Sequence, residues 1–207
     1  MRPPEALVRR FAADLDALGV GWALVGGCAL EAHGVAWPRH DIDIAIESAD
    51  EAAIAALGEA LQRCSHKVWR VRHDKLGEML GVLPRLPNEA APSGVLIDLL
   101  PRACGFEAEI VRAARRTTAM GVKLPVARIG HLIAFKIKAM HDLKRGRDVQ
   151  HLRALLALAT NEERELARAA LELSIARGIL HVRDPFAILR PHRLDGSLGA
   201  ISAASQG

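Results

Sequence analysis

The sequence predicts an α/β (α+β) fold, a mixed twisted sheet flanked by helices with a helical C-terminal portion. Three observations lead there. Short runs at 22–25, 41–46 and 95–100 have the length and patterning of strands. Ala/Leu-rich stretches with an apolar face lie between them. From Arg128 onward only helical patterns remain. The organisation is therefore an α/β domain over 1–127, a helical portion over 128–193 packed on it, and a Ser/Ala/Gly-rich tail over 194–207 whose composition predicts disorder. No internal repeat is present.

Taken in order, Pro3-Pro4 before Glu5 and Gly19 after Leu18 punctuate a first helix, with Leu7, Val8, Phe11, Leu15 and Leu18 on its apolar face. Trp22–Val25 reads as a short buried strand ending at Gly26-Gly27. Cys28–His33 reads as a short helix stopped by Gly34. Asp41-Ile-Asp-Ile-Ala-Ile46 alternates strictly and is a strand. Ala49–Cys64 is helical, and Lys67–Arg72 alternates again as a strand. Residues 84–94, with three prolines, read as a loop. Val95–Leu100 is a strand carrying one carboxylate. Phe106–Arg115 reads as a helix and Val122–Val126 as a short strand interrupted by Pro125. Helices are expected at 130–142, 146–159 and 161–177, the last opened by Thr160 with Glu163 three residues on, a capping box.

Composition narrows the function. The 207 residues include no Tyr, four Phe and three Trp, with 50% hydrophobic and 3% aromatic residues. The core must be built from Ala, Leu, Ile and Val. Single-strand nucleic-acid readers that stack bases on rows of Phe and Tyr are excluded, as are tyrosine nucleophiles. Three widely spaced cysteines, Cys28, Cys64 and Cys104, form no CxxC pair, which argues against a disulfide framework or a cysteine zinc site. No apolar signal-peptide core and no run approaching ~18 apolar residues occurs, so a soluble, cytoplasmic protein without membrane contact is expected. Charge is uneven. Net charge is +4, yet residues 1–100 carry −4 and residues 101–150 carry +7, with 11 Lys/Arg against 4 Asp/Glu. Such a segment attracts phosphates, although a solvated helix face is the commoner origin of a charge run.

The chemistry concentrates in three carboxylates and a glycine turn. Asp41 and Asp43 lie two apart on a strand, so both project from one face while Ile42 and Ile44 point into the core. Paired carboxylates repel unless solvated, sharing a proton or binding a cation. Asp98 stands alone in the apolar run Val95–Leu100. If its strand lies beside Asp41–Ile46, three carboxylates converge, the minimum for a two-metal phosphoryl-transfer centre. Each taken singly has a plain structural reading: an exposed DxD pair, and an Asp98 that caps a turn or pairs with Arg102. Gly26-Gly27 at a strand-to-helix turn lets backbone approach an anion, with free N–H groups behind it; an ordinary tight turn is the alternative. The chain contains neither a Walker A loop nor a GxGxxG fingerprint.

In combination, the order strand, Gly26-Gly27, short helix, Asp41-Ile42-Asp43 strand, helix and a third Asp98 resembles the nucleotidyltransferase superfamily with the polymerase-beta-like palm. The phrase LVGGCALEAHGVAWPRHDIDIAI is similar to the abortive-infection AbiEii-type toxins and related minimal nucleotidyltransferase-like proteins. LIAFKIKAMHDLKRGRDVQHL resembles their helical motif, with Lys136, Ala139, Arg147 and Asp148 in place. The resemblance covers residues 20–155. It implies that Asp41, Asp43 and Asp98 are catalytic and hold two Mg²⁺ ions. It further implies that Gly26, Gly27 and Cys28 form the phosphate loop of an NTP, and that Lys136 and Arg147 neutralise the triphosphate. The chain departs from the pattern where many members have Ser (here Gly27), at Trp37 and Arg39 before the DxD, and at Leu143 where an Arg is common. Lys136 also reads as one stem of an amphipathic helix, and Arg147-Asp148 as a helix-start ion pair.

What the resemblance implies is transfer of an NMP from an NTP to an acceptor hydroxyl with release of pyrophosphate. The protein is then a toxin with tRNA or another RNA as acceptor, given the basic segment, and an antitoxin protein as partner. The alternatives are a transferase acting on a protein hydroxyl or a small molecule, and a nucleotide-binding pseudoenzyme. His33 reads as a helix terminator rather than a ligand, and Cys28 as a packing or phosphate-loop residue. With no tyrosine, a nucleotide base would stack on Trp37 or on the Arg39 plane.

Overall fold

The computed structural model describes residues 4–35, 41–47, 50–73, 77–86, 94–143 and 146–194. Its elements are α1 (Glu5–Ala17), β1 (Trp22–Val25), α2 (Gly26–Ala32), β2 (Asp41–Ile46), α3 (Glu51–Arg63), β3 (Lys67–His73), β4 (Gly77–Leu83), β5 (Leu96–Leu100), α4 (Glu107–Ala113), β6 (Arg115–Ala119), β7 (Val122–Val126), α5 (Ile129–Leu143), α6 (Gly146–Leu158) and α7 (Asn161–Ala176), closed by a 3₁₀ turn at Ala187–His192. Among the described residues the strands form one seven-stranded sheet in the order β3-β4-β5-β2-β1-β7-β6. It is mixed: β2/β5 and β1/β7 run parallel, the other neighbours antiparallel.

The strict alternation of Asp41–Ile46 has the effect the pattern demands. Ile42 and Ile44 are each 3% exposed, and they meet Val8, Phe11 and Ala12 of α1 together with Trp22, Leu24 and Ile97. This face of the sheet, with Leu80 and Val82 from β4 and Ile54 and Leu61 of α3, is the aliphatic core that the composition requires. α1 starts after Pro4 and ends before Gly19 at φ +67, a left-handed residue that glycine adopts at little cost. α3 is capped by Asp50, whose side chain accepts from the Ala53 N–H at 2.7 Å.

Two strands were not expected. β4 falls in a stretch without a clear alternation, and β6 replaces the predicted end of a helix, because α4 stops at Ala113 and Arg115–Ala119 pairs along β7. A strand–turn–strand hairpin through Met120-Gly121 offers residues 115–119 a ladder that a longer helix would forgo. Pro125 is tolerated inside β7, close to the sheet edge. The capping box at α7 is half made. Thr160 accepts from the Glu163 N–H, but the Glu163 carboxylate turns away to Arg128 and to the Gly130 N–H at 2.6 Å, tying the start of α5 to the start of α7. Leu194, the first residue of the predicted tail, is 7% exposed and donates its N–H to Leu189; 195–207 lie outside the described residues. So do 87–93 of the predicted loop and the segment Trp37–His40. No described helix is long and apolar enough to cross a membrane.

Candidate functional site

The three carboxylates meet on adjacent strands. β2 and β5 are parallel neighbours, and Asp43 is the register partner of Asp98, while Asp41 stands opposite Leu96. Cross-strand partners share a face, so Asp41, Asp43 and Asp98 all project from the side of the sheet opposite Ile42 and Ile44. Asp41 is exposed, and Asp43 and Asp98 are half-buried. The Asp98 carboxyl is pushed up to about 6, first by burial and then by the negative charges of Asp43 and Asp41. Asp98 therefore feels the charge of both other carboxylates.

Gly26 completes this side. β1 runs antiparallel to β2 with Val25 opposite Asp43, and the next residue, Gly26, lies over the carboxylate. A Cβ on Gly26 would collide with the Asp43 carboxylate, and its φ of +61 is one that side-chain-bearing residues rarely adopt. Glycine is thus required twice. α2 begins at this residue, and no side chain caps it. Gly27 follows within the first turn. Cys28 lies deeper: it is 1% exposed, and its Sγ faces the Asp41 carbonyl at 3.7 Å, so it braces β2 from below rather than opening onto the site.

Lys136 and Arg147 belong to the helical portion. Lys136 sits on α5 with its ammonium 2.9 Å from Asp148 on α6, and both side chains are largely buried. His151 adds a ring nitrogen 3.8 Å from the same carboxylate. Arg147 lies on α6 beside Asp148. The Lys136–Asp148 pair thus links the helical motif internally, between the two residues that the sequence singled out separately. His33 closes α2 and makes a 2.8 Å hydrogen bond to the Ala127 carbonyl.

The carboxylates are hard oxygen donors of the kind magnesium prefers, but among the described residues no three His, Cys, Asp or Glu side chains form a ready-made metal cage. The donor set fits a cation held by one or two carboxylates with phosphate oxygens completing its shell, which is how magnesium is commonly bound alongside a nucleotide. A divalent ion would relieve both the burial and the charge repulsion that push Asp98 up.

One row of the site was not read from the sequence. Trp69, Gly81, Asp98 and Asp43 are successive register partners across β3, β4, β5 and β2. The signal was present in Met79–Leu83, an apolar run ended by Pro84, but it lacked the period-two alternation that identified the other strands.

The family profile described as nucleotidyl transferase AbiEii toxin, type IV toxin–antitoxin system, matches residues 8–200. The chain belongs to this AbiEii family. It is a nucleotidyltransferase, and its mixed α/β fold is similar to that of solved structures of ANT(2″)-Ia. The solution structure of the antibiotic-resistance factor ANT(2″)-Ia aligns with a TM-score of 0.55 at 16% identity, covering 83% of this chain and 92% of that one. The crystal structure of ANT(2″)-Ia in complex with adenylyl-2″-tobramycin aligns with a TM-score of 0.54 at 15% identity, covering 81% and 96%. At such identities the likeness is one of fold. No curated protein matches the chain.

Proposed function

We propose that this AbiEii-family protein moves an NMP from an NTP to the hydroxyl of an RNA acceptor, tRNA among the candidates, as the toxin of a toxin–antitoxin pair. The observation that carries the reading is the register of Asp43 with Asp98 beneath Gly26. That row of residues gives a place for a triphosphate on the Gly26 side and for an attacking hydroxyl on the Asp98 side.

Two Mg²⁺ ions held by Asp41, Asp43 and Asp98 would neutralise the triphosphate and make the acceptor hydroxyl more acidic. The remaining work falls to the chain itself. Asp98, already reluctant to ionise, takes the proton as the hydroxyl oxygen bonds to the α-phosphorus and pyrophosphate departs. Gly26, lacking a Cβ, leaves the Asp43 carboxylate uncovered, and the uncapped N–H groups of Gly26 and Gly27 are donors for the β- and γ-phosphates. Lys136 has donors beyond the one given to Asp148 and can add a contact to the same phosphates, with Arg147 nearby on the chain. On this reading the division at residue 127 is functional: the α/β domain carries the carboxylates, and the helical portion over 128–193 contributes cations.

The acceptor class rests on the +7 charge of residues 101–150. A small-molecule acceptor is the second reading, favoured by the fold shared with ANT(2″)-Ia, which was solved with adenylyl-2″-tobramycin. Incubation with each α-labelled NTP, Mg²⁺ and total RNA, protein extract or aminoglycosides separates the readings by where label appears. Label in RNA that is lost with Asp43→Ala supports the proposal. Label confined to protein or to the aminoglycoside replaces the acceptor, and tight NTP binding without transfer to anything indicates a pseudoenzyme.

A further inference from the structure

The geometry points to Trp69 as the surface on which the acceptor stacks, with the nucleobase beside the attacking hydroxyl lying on its indole face. This rests on the transferase reading above and specifies one further residue for it.

Trp69 is on β3, two strands from Asp98. Its register partner is Gly81, and Gly81 is in turn the partner of Asp98. The missing side chain at Gly81 is filled by the Trp69 ring: a Cβ there would lie 2.5 to 2.7 Å from three indole atoms, Cε2, Cζ2 and Nε1. The indole is therefore folded flat over Gly81 toward Asp98 and stops about one strand spacing, ~5 Å, short of the Asp98 backbone. Despite that packing it remains 36% exposed, so one face is covered by Gly81 and the other is open. A base laid on the open face sets its own ribose hydroxyls over Asp98.

The surroundings select the kind of group. On the same face of β3 and β4, Val71, Met79 and Leu83 are half-buried and Lys67 is exposed. The opposite face is closed by α3, where Val68 and Leu80 pack on Gly58. Apolar neighbours offer a ring little hydrogen-bonding readout, so recognition here is by stacking and tolerates different bases. Lys67, exposed on the same face, offers a cation to a phosphate backbone. One tryptophan supports one stacked base, which is consistent with a chain that lacks the aromatic rows of dedicated single-strand binders.

The test uses the full chain and 5′-fluorescein-labelled single-stranded (A)₁₂ and (U)₁₂ RNA with free 3′ hydroxyls, read by anisotropy. Trp69→Ala and Trp69→Leu should each lose about 5- to 150-fold in affinity for both RNAs, the range of one base stack. Leu still covers Gly81, which keeps the comparison valid if Ala disturbs the fold. Trp69→Phe should stay within a few-fold of the natural protein. Gly81→Ala, which leaves the tryptophan but displaces its ring, should lose as much as Trp69→Leu. NTP affinity should be unchanged in all four. Equal RNA affinity in the natural protein and Trp69→Leu overturns the proposal, as does a loss of NTP affinity instead. If the natural protein transfers label to a non-RNA acceptor and binds neither RNA, Trp69 loses this role while the transferase reading stands.

Discussion

Gly26 stands so close over Asp43 that no side chain fits between them. If Gly26 opens the phosphate loop proposed above, two parts of one site are coupled, because changing Gly26 moves the Asp43 carboxylate. Gly26→Ala should therefore behave as an Asp43 variant. The new methyl displaces the Asp43 carboxyl and must also take up a left-handed φ, at about 1–2 kcal/mol. A displacement of this order at a reacting group costs roughly 100-fold in rate. The expected result is NMP transfer reduced about 100-fold with a thermal midpoint only a few degrees lower, measured by pyrophosphate release and by circular dichroism. Full activity would separate the loop from the carboxylates.

Asp98 links activity to pH and opposes stability. Its folded-state carboxyl titrates near 6 against an ordinary 3.8. Between those values the native state binds more protons than the unfolded one, so stability falls as pH rises through this window and the ionised carboxylate is a burden at pH 7. Asp98→Asn removes it. That variant should be more stable than the natural protein at pH 7 by about 1–2 kcal/mol, allowing for solvent screening of a half-exposed group, and equal to it near pH 3.5. It should also be inactive, and because protons compete with Mg²⁺ for this carboxylate, the natural protein's activity should fall on acidification and the fall should move to lower pH as Mg²⁺ is raised. Urea melts across pH and a pH–rate profile check both halves.

How much of this was legible in the sequence depends on what each element uses to announce itself. Asp41–Ile46 declared its faces by alternation, and the burial of Ile42 and Ile44 follows from it. That Asp98 would stand beside Asp43 was only a condition, because register between strands 50 residues apart is set by the twist and packing of the whole sheet rather than by any local signal. β4 was missed because Gly81 interrupts its pattern, and with it went the row from Trp69 to Asp98. The interruption had a cause that only the fold reveals: the glycine makes room for an indole from the next strand. Cys28 followed the GG turn closely enough to read as part of the phosphate loop, and the rotation of about 100° per residue along α2 carries its side chain into the core.

Lys136 has two roles to separate. Its ion pair with Asp148 is largely buried, so removing one partner leaves a charge stranded in the interior, typically at about 3–5 kcal/mol. Lys136→Met and Asp148→Leu should each destabilise by an amount of that order, and the double variant by much less than their sum, in a double-mutant cycle followed by urea unfolding. A structural pair ends there. A phosphate-binding lysine does more: Lys136→Arg, which preserves a cation, should keep NTP affinity within about tenfold, whereas the stable double variant should lose it. NTP affinity unchanged in the folded double variant would confine Lys136 to the helical core.

Two glycines inside helices should respond to alanine with opposite signs. In an exposed or roomy helix position Gly→Ala stabilises by about 0.5–1 kcal/mol, because alanine has less backbone entropy to lose. Gly58 in α3 has that room, since an added Cβ would meet Val68 and Leu80 at 3.8 to 3.9 Å, ordinary contact distance. Gly130 in α5 does not. There a Cβ would strike the Glu163 backbone carbonyl of α7 and come within 2.9 Å of the Leu166 Cβ. A carbonyl inside a helix cannot swing aside, so α5 would have to lift from α7 and the Gly130 N–H would lose the Glu163 carboxylate. Overpacking of this kind costs about 1–3 kcal/mol, more than the propensity gain. Gly58→Ala should raise the urea midpoint and Gly130→Ala should lower it. Because the Glu163 clamp also holds Arg128 at the junction between the sheet and the helices, Gly130→Ala should further loosen amide protection in α5 and the first turn of α7 while leaving β2 and β5 unchanged.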